Sequence, residues 1–132
     1  MWSSTGRYGA IRNRKGRILK KRVRFHDICS RIGGDEFGIL LPFTHYKQAV
    51  IVTKDIQENI IQIKVFAEQN KKIISVSASI GLACLKAGCS CPDTNILYRW
   101  ADLALYEAKN AGRNNIRVYD CLKGSVLNHC KH

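Results

Sequence analysis

Residues 33–37, Gly-Gly-Asp-Glu-Phe, place two carboxylates directly behind two glycines. Asp35 and Glu36 are hard oxygen donors of the kind that hold Mg²⁺, and glycines allow a phosphate or a metal ion to approach the backbone closely. Apolar flanks on both sides predict a β-hairpin linked by Gly33 and Gly34, both free to take positive φ. Ile39 and Leu41 would face one side and Leu40 the other, as in a strand buried on both faces at the centre of a sheet. The same short string also fits a plain hairpin with solvated acids. Lys109 and Arg113 form a second candidate pair, four residues apart at the end of a predicted helix and so on one face. Such a pair can neutralise phosphate or simply complement the helix dipole.

The elements that must position these groups follow from periodicity. Residues 1–10 read as weakly structured and 11–23 as a helix with a thin apolar stripe of Ile11, Ile18 and Leu19. Residues 27–32 and 37–41 read as the hairpin strands. Thr44 is a candidate N-cap, and Ala49, Val52, Ile56, Ile60 and Ile63 recur at helical spacing, predicting an amphipathic helix over 45–68 that covers one face of the sheet. Residues 73–84 alternate with β-branched side chains and read as a core strand. The Gly- and Pro-punctuated residues 86–93 read as a loop. Thr94 or Asn95 caps a helix that runs to about Ala111, with Leu97, Ala101, Ala104, Leu105 and Ala108 as its buried stripe and Gly112 at C′. Residues 116–119 read as a short last strand, and 121–132 as a tail without a readable motif.

The 132 residues carry a net charge of +12 and 45% hydrophobic residues, enough for a single core and one domain. Nine of the 22 Lys and Arg and none of the ten acids fall in residues 1–24, which leaves +3 on the remainder. Such an arm binds polyanions by charge, without sequence specificity. No apolar run is long enough to span a bilayer and residues 1–17 lack the apolar h-region of a secretory signal, so the expectation is a cytoplasmic protein with no membrane segment. Six cysteines without an export signal predict free thiols, and the Cys-Ser-Cys at 89–91 is too closely spaced for the usual zinc knuckle.

Gly33–Phe37 is the signature of the GGDEF family, and the chain resembles that family's diguanylate cyclase domains over 19–120. The matching segments are LKKRVRFHDICSRI (19–32), SVSASIGLA (75–83) and ADLALYEAKNAGRNNIRVYD (101–120). The resemblance implies an α+β, nucleotidyl-cyclase or palm-like fold, a mainly antiparallel sheet flanked by helices. It divides the chain into a basic arm (1–18), a partial GGDEF domain (19–120) and a tail (121–132). It also implies an activity in which two GTP, held on two facing domains of a homodimer with Mg²⁺ or Mn²⁺, give cyclic di-GMP and pyrophosphate.

In that resemblance Asp35 and Glu36 are the catalytic and metal-binding acids. Gly34 lets guanine nucleotide approach the backbone, and Lys109 and Arg113 stand where the family's phosphate-binding pair stands. Arg24 and Asp27 match the inhibitory RxxD motif five residues before the GGDEF, where product binds. Arg suits bidentate contact with phosphate or guanine, and Asp can accept from the guanine amine. The chain shows no match to the family's first strand with its metal-binding Asp, nor to its guanine-recognising FKxxND-type segment. Expected activity is therefore impaired, and the alternative function is a non-catalytic domain that binds cyclic di-GMP or serves regulation or oligomerisation.

Overall fold

Helix α1 (Arg7–Arg22) ends on Lys20, Lys21 and Arg22, whose charges complement the negative end of the helix dipole. In the computed structural model, which describes residues 7–67, 71–90 and 93–128, this helix starts earlier than periodicity suggested. Its seven residues from Gly16 to Arg22 include buried Leu19, and the Gly16 backbone lies against the Phe37 ring. The Arg14 guanidinium donates to the Lys64 carbonyl at 3.1 Å, a further tie for residues expected to be a loose arm. Residues 1–6 lie outside the described residues.

The order continues β1 (Ile28–Gly33), β2 (Glu36–Leu40), α2 (Tyr46–Ile61), β3 (Lys64–Ala67), β4 (Lys72–Ser75), β5 (Ile80–Ala83), α3 (Thr94–Asn110), β6 (Ile116–Asp120) and β7 (Ser125–Asn128). The fold is α+β, as expected. The chain divides into two compact units, Met1–Phe43 with Glu58–Val76, and Thr44–Gln57 with Ser77–His132. Among the described residues the strands form three separate sheets, β1-β2, β3-β4 and β5-β6-β7. The β1–β2 hairpin is thus a two-stranded ribbon, not the centre of a larger sheet, and Leu40 is exposed.

Helix α2 stops at Ile61, short of the expected residue 68. Its last turn closes with tight bonds from the Gln62 N–H to the Asn59 carbonyl and from the Ile63 N–H to the Ile60 carbonyl. The Val65-Phe66 segment then leaves as β3 and pairs antiparallel with β4. At its N-terminus α2 starts at Tyr46, and the His45 carbonyl accepts from the Ala49 N–H at 2.9 Å.

In the second unit β5 runs parallel to β6, and β6 runs antiparallel to β7. The expected long strand over 73–84 is therefore two strands in different sheets, with 76–79 between them unpaired in either ladder. The parallel pair is crossed by α3, which packs on both strands. Alternate β6 residues Ile116, Val118 and Asp120 are buried, and Ala104 and Ala108 of α3 are fully buried. The helix is capped by Asp93, whose carboxylate accepts from the Ile96 N–H at 3.0 Å. Asp thus takes the role assigned from sequence to Thr94 or Asn95, since the cap is the residue just before the first helical one.

The expected tail forms β7. Buried Asp120 starts the turn before it: its carboxylate accepts from the Leu122 and Lys123 N–H groups, and Lys86 Nζ stands 3.7 Å from it. Burial pushes this carboxyl up, but the two N–H bonds and the Lys86 and Lys123 charges outweigh it and hold it below its ordinary value. The same Lys86 ammonium lies 4.4 Å from the centroid of the Tyr46 ring.

Cys89 and Cys121 form a disulfide with a Cα–Cα separation of 5.9 Å, contrary to the expected free thiols. The cause is topological: the parallel register Ala83↔Tyr119 brings the segments that leave β5 and β6 side by side. Cys29 and Cys84 are free, and Cys91 and Cys130 lie outside the described residues. Closing a loop across a sequence separation of 32 residues constrains the unfolded chain. Cys89→Ser, or full reduction, is expected to cost about 3–4 kcal/mol. Urea denaturation with and without reductant checks this, and the Cys89→Ser protein should no longer respond to reductant.

Candidate functional site

The hairpin turns on different residues from those the Gly-Gly pair suggested. Gly33 is the last residue of β1, paired with Glu36, and Gly34 and Asp35 form the turn. Gly34 has φ +53°, a left-handed conformation that favours glycine, while Asp35 has no positive φ. A register shift between Arg31 and Gly33 marks a bulge at the end of β1 that twists the turn away from the regular ladder. Arg31, which sequence reasoning passed over, donates from Nη1 to the Gly34 carbonyl at 2.9 Å and braces the turn. An arginine three residues before a turn glycine was the signal available.

Asp35 is exposed and Glu36 half-buried. A Cβ on either Gly33 or Gly34 would meet nothing within 4 Å, so the space over the two glycines is open to an approaching group. Asp35 and Glu36 supply two adjacent carboxylates, a donor set that suits Mg²⁺, which keeps several waters and takes one or two carboxylates alongside substrate phosphates. Among the described residues no group of three or more His, Cys, Asp and Glu could hold a metal ion.

Arg24 and Asp27 are brought together. The Arg24 backbone N–H donates to Asp27 Oδ2 at 2.7 Å and Nε donates to the same oxygen at 3.4 Å. The Asp27 side chain is only 2% exposed, and its Oδ1 is buried without a hydrogen-bond partner. Burial pushes the Asp27 carboxyl up, but the Arg24 N–H, the Arg24 guanidinium and His26 together bring it below its ordinary value. The Arg24 side chain is 46% exposed, and its Nη2 reaches the Pro42 carbonyl at 3.4 Å.

Lys109 and Arg113 belong to the second unit and do not share a helix face. Helix α3 ends at Asn110, Ala111 is its C-cap, and Gly112 follows at φ +98°. Bonds from the Ala111 N–H to the Glu107 carbonyl and from the Arg113 N–H to the Ala108 carbonyl close the helix as a Schellman motif. Arg113 thus lies past the helix, in left-handed conformation at φ 63°. Asn115, unremarked in the sequence, fixes this corner: its Nδ2 donates to the Ala108 carbonyl at 2.9 Å and to the Arg113 carbonyl at 2.8 Å.

The model of the diguanylate cyclase GGDEF domain matches residues 13–115, and the chain belongs to the GGDEF family. A probable diguanylate cyclase of Escherichia coli (strain K12), DgcT, is 35% identical over 114 residues, which is 86% of this chain and 24% of that protein. The chain therefore spans about a quarter of that relative's length. The active GGEEF domain of a diguanylate cyclase from Vibrio cholerae superposes with TM-score 0.70 at 30% identity, covering 85% of this chain and 68% of that one. The GGDEF domain of DgcB from Caulobacter crescentus, in complex with c-di-GMP, shares the fold with TM-score 0.72 at 20% identity, over 83% of this chain and 63% of that chain.

Proposed function

We propose that the chain is a diguanylate cyclase domain whose metal-holding acids and nucleotide approach stand at the β1–β2 hairpin turn. The observation that carries the reading is the turn itself, with open space over Gly33 and Gly34 and the exposed Asp35 carboxylate beside it. Asp35 and Glu36 would hold Mg²⁺ (or Mn²⁺), which supplies charge neutralisation on the phosphates and acidifies the attacking 3′-hydroxyl. Gly34 admits the nucleotide to the backbone, and Lys109 and Arg113 neutralise phosphate oxygens. Bond formation joins the 3′-oxygen of one GTP to the α-phosphorus of the other, with pyrophosphate leaving, and its repetition closes the ring of cyclic di-GMP. A second copy of the domain must present the second GTP, hence a homodimer.

Two adjacent carboxylates make a sparse metal cage, so turnover by these residues alone is slow. A cytoplasmic location, where GTP is available, goes with this reading. Among the described residues no helix is long and apolar enough to cross a membrane. Chromatographic assay after incubation with GTP and Mg²⁺ is expected to show no cyclic di-GMP above an Asp35→Ala control from these residues alone, and Asp35-dependent product once a further metal ligand is supplied.

The Arg24–Asp27 pair favours a second role, binding of cyclic di-GMP for regulation or as the sole function. Asp27 Oδ1 accepts no hydrogen bond and has only His26 Nε2 nearby, at 3.8 Å, so a local opening would free it to accept from a guanine N–H, and the part-exposed Arg24 guanidinium suits the phosphate. Arg24→Ala is expected to weaken cyclic di-GMP binding by about 1.5–3 kcal/mol, the range for a hydrogen bond to a charged group. Calorimetry giving equal affinity for both proteins would remove this role.

A further inference from the structure

We propose that the end of the β1–β2 hairpin opposite its turn is a docking surface for an anionic lipid bilayer. Phe25, just before β1, is 104% exposed, and Phe43, just after β2, is 96% exposed. The contact between Arg24 Nη2 and the Pro42 carbonyl joins the two segments that carry these rings. Directly beyond them Ile28 and Leu40 are cross-strand partners, so their side chains share a face, and they are 58% and 44% exposed. Single exposed apolar residues are ordinary, but two fully exposed phenylalanines beside an exposed aliphatic pair form a patch.

Charge selects the occupant. Lys20, Lys21, Arg22 and Arg24 crowd the chain just before Phe25, and the one acid in residues 1–34, Asp27, is buried against Arg24. The outward field around the patch is positive. Basic side chains around apolar ones match the acidic headgroups and acyl boundary of a bilayer, where rings leave water while cations stay at the surface. Single-stranded nucleic acid would also meet the charge and stack on the rings, but Ile28 and Leu40 would gain nothing from stacking. A second copy of the chain would set two strongly positive surfaces against each other. The contact proposed is one of lying on the membrane surface.

Co-sedimentation of the 132-residue protein with vesicles of phosphatidylcholine and phosphatidylglycerol (1:1) tests the proposal, with pure phosphatidylcholine vesicles and a single-stranded oligonucleotide as the other arms. The wild-type protein should sediment with the acidic vesicles only. Phe25→Ser with Phe43→Ser, at two positions too exposed to carry the fold, should lower partitioning about tenfold or more at unchanged circular dichroism, as should Lys20→Glu with Lys21→Glu. Partitioning unaltered by the two serines would overturn the proposal in favour of charge alone. So would an oligonucleotide affinity that the serines abolish while vesicle binding persists, or a dimer in light scattering that the serines dissociate.

Discussion

Gly81→Ala lowers the melting temperature by about 10 °C or more, from a loss of about 3 kcal/mol at the upper end of overpacking costs. Gly81 lies in β5 where α3 crosses it, and an added Cβ would fall on the Ala101 carbonyl oxygen and on the Leu105 backbone nitrogen and Cα. These are backbone atoms of a helix whose own contact residues, Ala104 and Ala108, are already as small as a helix allows. No rotamer change can make room. The helix must move off the sheet, and the corner that holds Lys109 and Arg113 moves with it. Gly33→Ala is the matched control, since its Cβ would meet nothing within 4 Å and its φ is not positive. Thermal melts followed by circular dichroism should show Gly33→Ala within about 2 °C of the wild type, because open-site substitutions of this kind cost little. Equal melting temperatures for Gly81→Ala and the wild type would mean that α3 does not lie on β5.

What the sequence revealed and what it concealed divide along local and non-local causes. The hairpin and the stop of α3 before Gly112 are written in short-range signals, which the structure follows, and of the expected α3 stripe Ala104 and Ala108 are buried while Leu97, Ala101 and Leu105 are half-buried. The end of α2 is not, because Ile60 and Ile63 extend the helical spacing into residues whose β-branched and aromatic neighbours leave as β3. The run 73–84 alternates without a break, so nothing local tells that its two halves join different sheets. The Cys89–Cys121 bond depends on β5 and β6 being parallel neighbours, a fact of topology that cysteine spacing does not carry.

At the candidate site the residue types were legible and their geometry only partly so. Gly34, Asp35 and Glu36 stand at a tight turn, but the turn is shifted by one residue because a bulge uses Gly33 to finish the strand. Four-residue spacing put Lys109 and Arg113 on one helix face, whereas the left-handed Gly112 reverses the chain before Arg113 is reached. The register of Arg24 and Asp27 survived intact, since an i,i+3 pair next to a strand needs only a turn to meet. Arg31 and Asn115, which hold the backbone of the two corners in place, act on carbonyl oxygens, and only Arg31, three residues before the turn glycine, left a sequence signal.

The claim that Asp35 is the metal-holding group of a cyclase domain whose own cage is sparse is tested most directly by measuring cyclic di-GMP formation in two proteins. One is the 132-residue chain; the other is the same chain preceded by the N-terminal segment of the 30%-identical Vibrio cholerae domain, where the family resemblance implies further metal and guanine contacts. With GTP and Mg²⁺ the chain alone should give no product above its Asp35→Ala variant. The extended protein should give product that Asp35→Ala lowers by three or more orders of magnitude, as loss of a metal ligand costing about 4 kcal/mol of transition-state stabilisation requires. Abundant cyclic di-GMP from the 132-residue chain that disappears in its Asp35→Ala variant, or product from the extended protein that Asp35→Ala leaves unchanged, would contradict the account.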